Sequence, residues 1–169
     1  MLALAAGTVG APGASGAAAK RYAPPYAMGP SGGDSWNVVH NDPATGRIVV
    51  GRAYPIPAVL NCGGQSAYQQ QRVKHRVAGP VSKVTVSYSD AATDGYTFLN
   101  VHVRDPKGRF IGSVQRRGPL LNSGAVTAAV NGRTLKKGTM LTIDFGLTVS
   151  SACPSADGGT VLLPSVTVS

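Results

Sequence analysis

The chain has 169 residues, enough for one domain with a substantial core, and it carries 16 basic against 7 acidic residues, a formal net charge of +9. That surplus disfavours cationic partners and favours anionic ones, such as acidic polysaccharides, cell-surface polymers, lipid headgroups or nucleic acid. All seven acids are aspartate, glutamate is absent, and 22 glycines and 12 prolines punctuate the chain, a composition that points to strands and turns rather than to a helical protein.

Residues 1–19 contain no charge and end Ala17-Ala18-Ala19 before Lys20-Arg21. The small-residue ending fits signal cleavage, while the positive start of a full signal is missing, so the run is expected to be a signal-peptide remnant of a secreted chain. It is too short and too weakly apolar to span a membrane, which takes roughly 20 apolar residues, and no transmembrane segment is expected elsewhere. Residues 20–35 are rich in proline and glycine and read as a linker. The domain is expected over 36–169.

Trp36–His40 and Arg47–Gly51 are short strand candidates, and Asn41 to Gly46 between them is turn chemistry, so a hairpin is expected. Residues 53–64, with two prolines, Cys62 and a Gly-Gly pair, read as a loop, and 68–71 is ambiguous. Alternation then sets in. Arg72, Lys74 and Arg76 oppose Val73, His75 and Val77, and Val84, Val86 and Tyr88 oppose Lys83, Thr85 and Ser87. In the next segment Leu99, Val101 and Val103 face away from Tyr96, Phe98, Asn100, His102 and Arg104. Asp105-Pro106-Lys107-Gly108 is a tight turn into a strand over 109–115. A short strand over 125–130 ends at Asn131-Gly132, a hairpin signal. The cleanest alternation is 139–149, where Leu141, Ile143, Phe145, Leu147 and Val149 share one face. The last strand, 161–168, contains Pro164, which is expected at an edge or a bulge because it cannot donate a ladder hydrogen bond.

Eight or nine short half-apolar strands predict an all-β protein, an antiparallel β-sandwich of jelly-roll or immunoglobulin-like topology, with a small closed β-barrel as the alternative. Cys62 and Cys153 are the only cysteines. In a secreted chain they are expected to form one disulfide, closing a loop of roughly 90 residues and contributing about 4–5 kcal/mol in the chain-entropy picture. Two reduced, buried thiols are the alternative.

No nucleophile elbow, paired helical histidines, phosphate loop or Cys-x-x-Cys occurs, so no catalytic residues and no cofactor are expected. His40, His75 and His102 fall on three strands with no metal-binding spacing. Asp90, Asp94 and Asp157 offer loop carboxylates for calcium, though their spacing matches no EF-hand. The strongest constellation is a basic and aromatic strand face: Arg72, Lys74 and Arg76 from one strand, and Tyr96, Asn100, His102 and Arg104 from another. Arginine forks grip carboxylate or phosphate and aromatic rings stack on sugars. An ordinary solvated sheet face explains the same charges. The expected function is a secreted, non-catalytic binding module for an anionic or carbohydrate ligand of the cell envelope. A protein-interaction domain, in contact through Tyr54-Pro55-Ile56-Pro57, is the alternative, and a small hydrolase a further one.

Overall fold

A computed structural model of the chain describes residues 18–32, 37–52, 65–131, 135–151 and 158–169. Among these the regular structure is all strand: β1 Lys20–Tyr22, β2 Ala27–Gly32, β3 Asn37–Asp42, β4 Arg47–Arg52, β5 Gln65–Arg76, β6 Lys83–Thr93, β7 Thr97–Arg104, β8 Phe110–Arg117, β9 Leu121–Ala129, β10 Met140–Ser151 and β11 Gly158–Val168. No helix of the described residues is long and apolar enough to cross a membrane.

Two antiparallel sheets face each other. Sheet A runs β3-β4-β11-β6-β9, with β1 also on β11, and sheet B runs β2-β5-β10-β7-β8. Both sheets are open, so the closed-barrel alternative falls. From β4 onward the chain pairs in nested fashion, β4-β11-β6-β9 against β5-β10-β7-β8, which is the double Greek-key order of a jelly roll. An immunoglobulin-like order does not fit it.

The inward residues are those that alternation selects. Leu141, Ile143, Phe145 and Leu147 of β10, Leu99, Val101 and Val103 of β7, and Val84 and Val86 of β6 have no exposure, as have Ile48 of β4 and Val161, Leu163 and Val166 of β11. Burying each such side chain contributes about 1.5–3 kcal/mol. The central strands, β11 in sheet A and β10 in sheet B, each have neighbours on both sides and one face on the core.

The segment expected as a linker is part of the sandwich. β1 joins sheet A along Val166–Val168, β2 joins sheet B along β5, and Tyr26 between them plugs the sandwich. Its ring stands edge-on to Phe145, with centroids 5.0 Å apart, and its hydroxyl donates to the Leu163 carbonyl at 3.1 Å. Burial pushes the Tyr26 phenol up to about 12. Proline and glycine hid these strands: Pro24 and Pro25 lie between them, and β2 is an edge strand, where Pro30 is tolerated.

β11 has two partners along one edge, β4 over its first half and β1 over its last three residues. Pro164 falls in the gap between them, and on the other edge the register with β6 shifts between Leu162 and Ser165, so the expected bulge is present. Gly46, which closes the expected β3–β4 turn with φ of 81°, accepts from the Leu163 amide at 3.0 Å in the same gap, and a Cβ there would meet the Leu163 carbonyl at 2.6 Å. Asn131-Gly132 does not close a hairpin, since β9 and β10 lie in different sheets. The ambiguous 68–71 is the middle of β5.

His75 faces inward, as its parity predicts, with Nδ1 2.8 Å from the Tyr22 hydroxyl. Burial, and secondarily the charge of Lys20, lowers its pKa below 6.5. The unfolded chain then binds a proton that the folded chain refuses, so this contribution to stability is complete above about pH 6.5 and falls as the pH drops from there toward the folded-state value. Burial lowers the pKa of His102 in the same sense. Urea unfolding should therefore show a lower midpoint at pH 5 than at pH 7.5, and His75→Gln should narrow the gap. An unchanged gap in the variant would remove His75 from this account.

Candidate ligand-binding face

Of the seven residues singled out, six share the outer face of sheet B. Arg72, Lys74 and Arg76 project from β5, and Asn100, His102 and Arg104 from β7. The two strands are not neighbours: β10 pairs with both. They stand roughly 10 Å apart, two strand spacings, with β10 as the floor. Cross-strand register arranges the face in rows. One row is Arg72, Asp144, His102, Ser113; the next is Lys74, Thr142, Arg104, Phe110; on the other side lie Gln70, Gly146, Asn100, Gln115. Arg76 sits opposite Met140, at the far end. Tyr96 lies elsewhere. It precedes β7 in a turn, packs partly against the core and has Arg117 5.8 Å from its ring. The alternation was continued one residue too far: the turn, held by Asp94 accepting from the Tyr96 amide at 2.9 Å and the Thr97 hydroxyl at 2.8 Å, turns the ring out of line.

The residue that organises the face was not among the seven. Asp144 has no exposure, although it belongs to the outer face. Arg72 grips it with both edges of a fork, Nε to Oδ1 at 2.7 Å and Nη2 to Oδ2 at 3.2 Å. Arg104 approaches the same carboxylate at 3.8 Å, too far for a hydrogen bond. Arg104 instead lies over Phe110, its Cζ 4.0 Å from the ring centroid. His102 meets the same ring edge-on at 5.4 Å. Phe110 is 56% exposed, an unusual position for a phenylalanine unless a neighbour covers it, as Arg104 does. The signal for Asp144 was present in the sequence, as the only charge in the strongest apolar alternation. Phe110 carried none, since its partnership with Arg104 depends on a register shift between Val103 and Arg104.

Beside this cluster runs a shallow groove of about 470 Å³, crossing the strands. Gly146, between Gln70 and Asn100 in the register, lies against the β5 backbone, where a Cβ would collide with the Gln69 carbonyl and the Gln70 backbone. Gln70 and Asn100 flank it, both mostly buried, with the Asn100 amide donating to Thr148 Oγ1 at 2.7 Å. Tyr68 and Pro30 line it on the β2–β5 side, and Gln115, Ser113 and Arg104 on the β7–β8 side. His102 lines it as well; burial, reinforced by Arg104, lowers its pKa, and its Nδ1 is buried without a partner among the described residues.

The remaining candidates scatter. His40 is exposed on β3, His75 faces inward and His102 outward, and among the described residues no group of three metal-binding side chains forms. Asp90 and Asp94 do not converge. Asp90 pairs with Arg47 at 3.7 Å, and the Asp94 oxygens are occupied by Tyr96, Thr97 and the Gly158 amide. Asp157, Cys62, Cys153 and Tyr54-Pro55-Ile56-Pro57 lie outside the described residues.

No protein-family model and no curated protein matches the chain. Several solved structures are similar to it. TmCBM61 in complex with β-1,4-galactotriose is 12% identical, with 83% of this chain and 86% of that one aligned at a TM-score of 0.45. The carbohydrate-binding module CBM36 in complex with calcium and xylotriose is 13% identical, covering 89% and 99% at 0.40. CsCBM6-3 from Clostridium stercorarium, in complex with cellobiose, is 16% identical, covering 89% and 92% at 0.41.

The Arg72–Asp144 pair makes a stability prediction. Removing one member of a buried pair leaves an uncompensated charge, whereas replacing both by apolar groups is nearly neutral. Arg72→Met should destabilise by about 3 kcal/mol, the low end of that range because Arg104 remains nearby. Adding Asp144→Leu should recover most of it in urea melts. A double variant no more stable than Arg72→Met would show that the pair is not what holds this part of the sheet.

Proposed function

We propose that the chain is a secreted, non-catalytic binding module that takes an anionic or carbohydrate ligand on the outer face of sheet B. The observation that carries this reading is the face's charge: Arg72, Lys74, Arg76 and Arg104 share it, and the one carboxylate among them, Asp144, is sealed beneath two of the arginines. A ligand meets cations, amides and hydroxyls there.

The same face argues against hydrolysis. Asp144, His102 and Ser113 stand side by side in one row, acid, imidazole and hydroxyl. Nucleophile activation requires hydrogen bonds from hydroxyl to imidazole and from imidazole to acid. Among the described residues His102 makes none, and Arg72 grips both oxygens of Asp144.

Binding should appear as salt-sensitive retention on immobilised polygalacturonate and dextran sulfate. Lys74→Gln/Arg76→Gln/Arg104→Gln should elute at markedly lower salt, while Lys107→Gln/Lys136→Gln/Lys137→Gln, with the same loss of charge elsewhere, should elute close to the wild type. Equal shifts in the two variants would mean that net charge, not this face, binds. Arg72 is kept in both because of its structural pairing.

Export is supported by the leader composition and by strand register. Gln65 and Ser151 are cross-strand partners at one end of β5 and β10, and in sequence Cys62 comes three residues before the first and Cys153 two after the second. A Cys62–Cys153 bridge would then staple the two strands that carry the face. Alkylation followed by intact mass should give no labelled cysteine before reduction and two after it. Two labelled cysteines in the unreduced, denatured protein would discard the bridge.

A further inference from the structure

The groove beside the arginine cluster combines two chemistries that a general cationic surface lacks. Its middle is uncharged and built for hydrogen bonding. Gln70, Asn100 and Gln115 line it from one cross-strand row, and each amide offers donors and an acceptor, as a hydroxyl-rich ligand requires. Two of the three amides are held rigidly: Gln70 and Asn100 are 6% and 4% exposed, and Asn100 is tied to Thr148. A ring, Tyr68, stands on the β2–β5 side.

The β7–β8 side is positive and unspent. Arg104 has five N–H donors and makes no hydrogen bond among the described residues. Phe110 lies under it at 4.0 Å and Asp144 holds it from 3.8 Å, so its position is set while its donors stay open. Arg72, by contrast, has committed its fork to Asp144. Among the described residues the one carboxylate beside it, Asp144, is therefore already paired, and none lines the groove to repel an anion. A planar guanidinium with a free edge matches a carboxylate in two-point fashion. The volume, about 470 Å³, is within the range of small-molecule sites and suits a short stretch of saccharide.

We propose that this groove binds a uronate-containing saccharide, with sugar hydroxyls on Gln70, Asn100 and Gln115 and one uronate carboxylate on Arg104. The inference rests on the reading of this face as a binding surface and adds to it the substrate class and the direction in which the chain lies. Phosphate and sulfate esters would satisfy a cationic surface equally well but would not use the amide row.

Calorimetric titration with trimers of galacturonate, mannuronate and guluronate, each as free acid and as methyl ester, tests it. At least one acid trimer should bind, at least tenfold tighter than its ester. Arg104→Gln should abolish that preference, and Gln115→Ala, at an exposed edge position, should weaken acid and ester alike by several fold. Urea melts establish that both variants are folded, and Gln115→Ala keeps the test open if Arg104→Gln is not. Acid and ester binding equally, a folded Arg104→Gln variant that keeps the preference, a folded Gln115→Ala variant that binds like the wild type, or silence from all three trimers would overturn the proposal. If the trimers are silent and salt-sensitive retention on dextran sulfate persists, the binding face survives without the groove; if both are lost, neither reading stands.

Discussion

A carboxylate with no solvent exposure persists in a fold only where something compensates its lost hydration, and for Asp144 that compensation is Arg72. The consequences spread across sheet B. Arg72 is pinned flat on the outer surface rather than waving in solvent. Arg104 is drawn toward the same carboxylate but reaches only ion-pair distance, which leaves it oriented yet unsaturated. Phe110 then has a cation to lie under, and His102 has a ring to lean on. A flat β-surface that would otherwise carry mobile basic side chains becomes a patterned one, in which the entropy of ordering two arginines is met by folding rather than by ligand binding.

The inner face imposes a different discipline. Two polar side chains there reach from one sheet to the other. Gln71, with no exposure, donates to Asn41 Oδ1 at 2.9 Å and to the Asp42 carbonyl at 3.2 Å, which ties β5 in sheet B to the β3 end of sheet A. Tyr26 does the same work at the mouth of the sandwich, apolar ring inward and hydroxyl on a backbone carbonyl. Each of these contacts joins the two sheets, so the relative position of the sheets, and with it the curvature of the binding face, is fixed by polar pins as well as by the apolar core.

Much of this was readable from the chain, and the limits have physical causes. Alternation placed the core residues of β6, β7 and β10 and assigned Arg72, Lys74, Arg76, Asn100, His102 and Arg104 to the face away from it, because parity is local information. Pairing is not local. Nothing in the sequence says that β10 lies between β5 and β7, and without that Asp144 cannot be seen to bridge two arginines 32 residues apart in the chain. β1 and β2 were concealed because their stability comes from β11 and β5 rather than from any propensity of Lys20–Tyr22 or Ala27–Gly32. Tyr96 was misplaced for the opposite reason, since local alternation was trusted across a turn that Asp94 caps.

The nested strand order also dictates when the molecule can assemble. The central strand of sheet A is β11 and that of sheet B is β10, the last two strands of the described chain. Until they have been synthesised, β4 lacks the strand that joins it to β6, and β5 lacks the one that joins it to β7. β1 waits longest, since Lys20 pairs with Val168. Contacts of such sequence separation form slowly and only after most of the loop entropy has been surrendered. Hairpins made before β10 and β11 therefore have no centre in either sheet, and the sandwich closes only once both strands are available. That interval, with its strands still unpaired, is when a chaperone would find the polypeptide in an unfolded state.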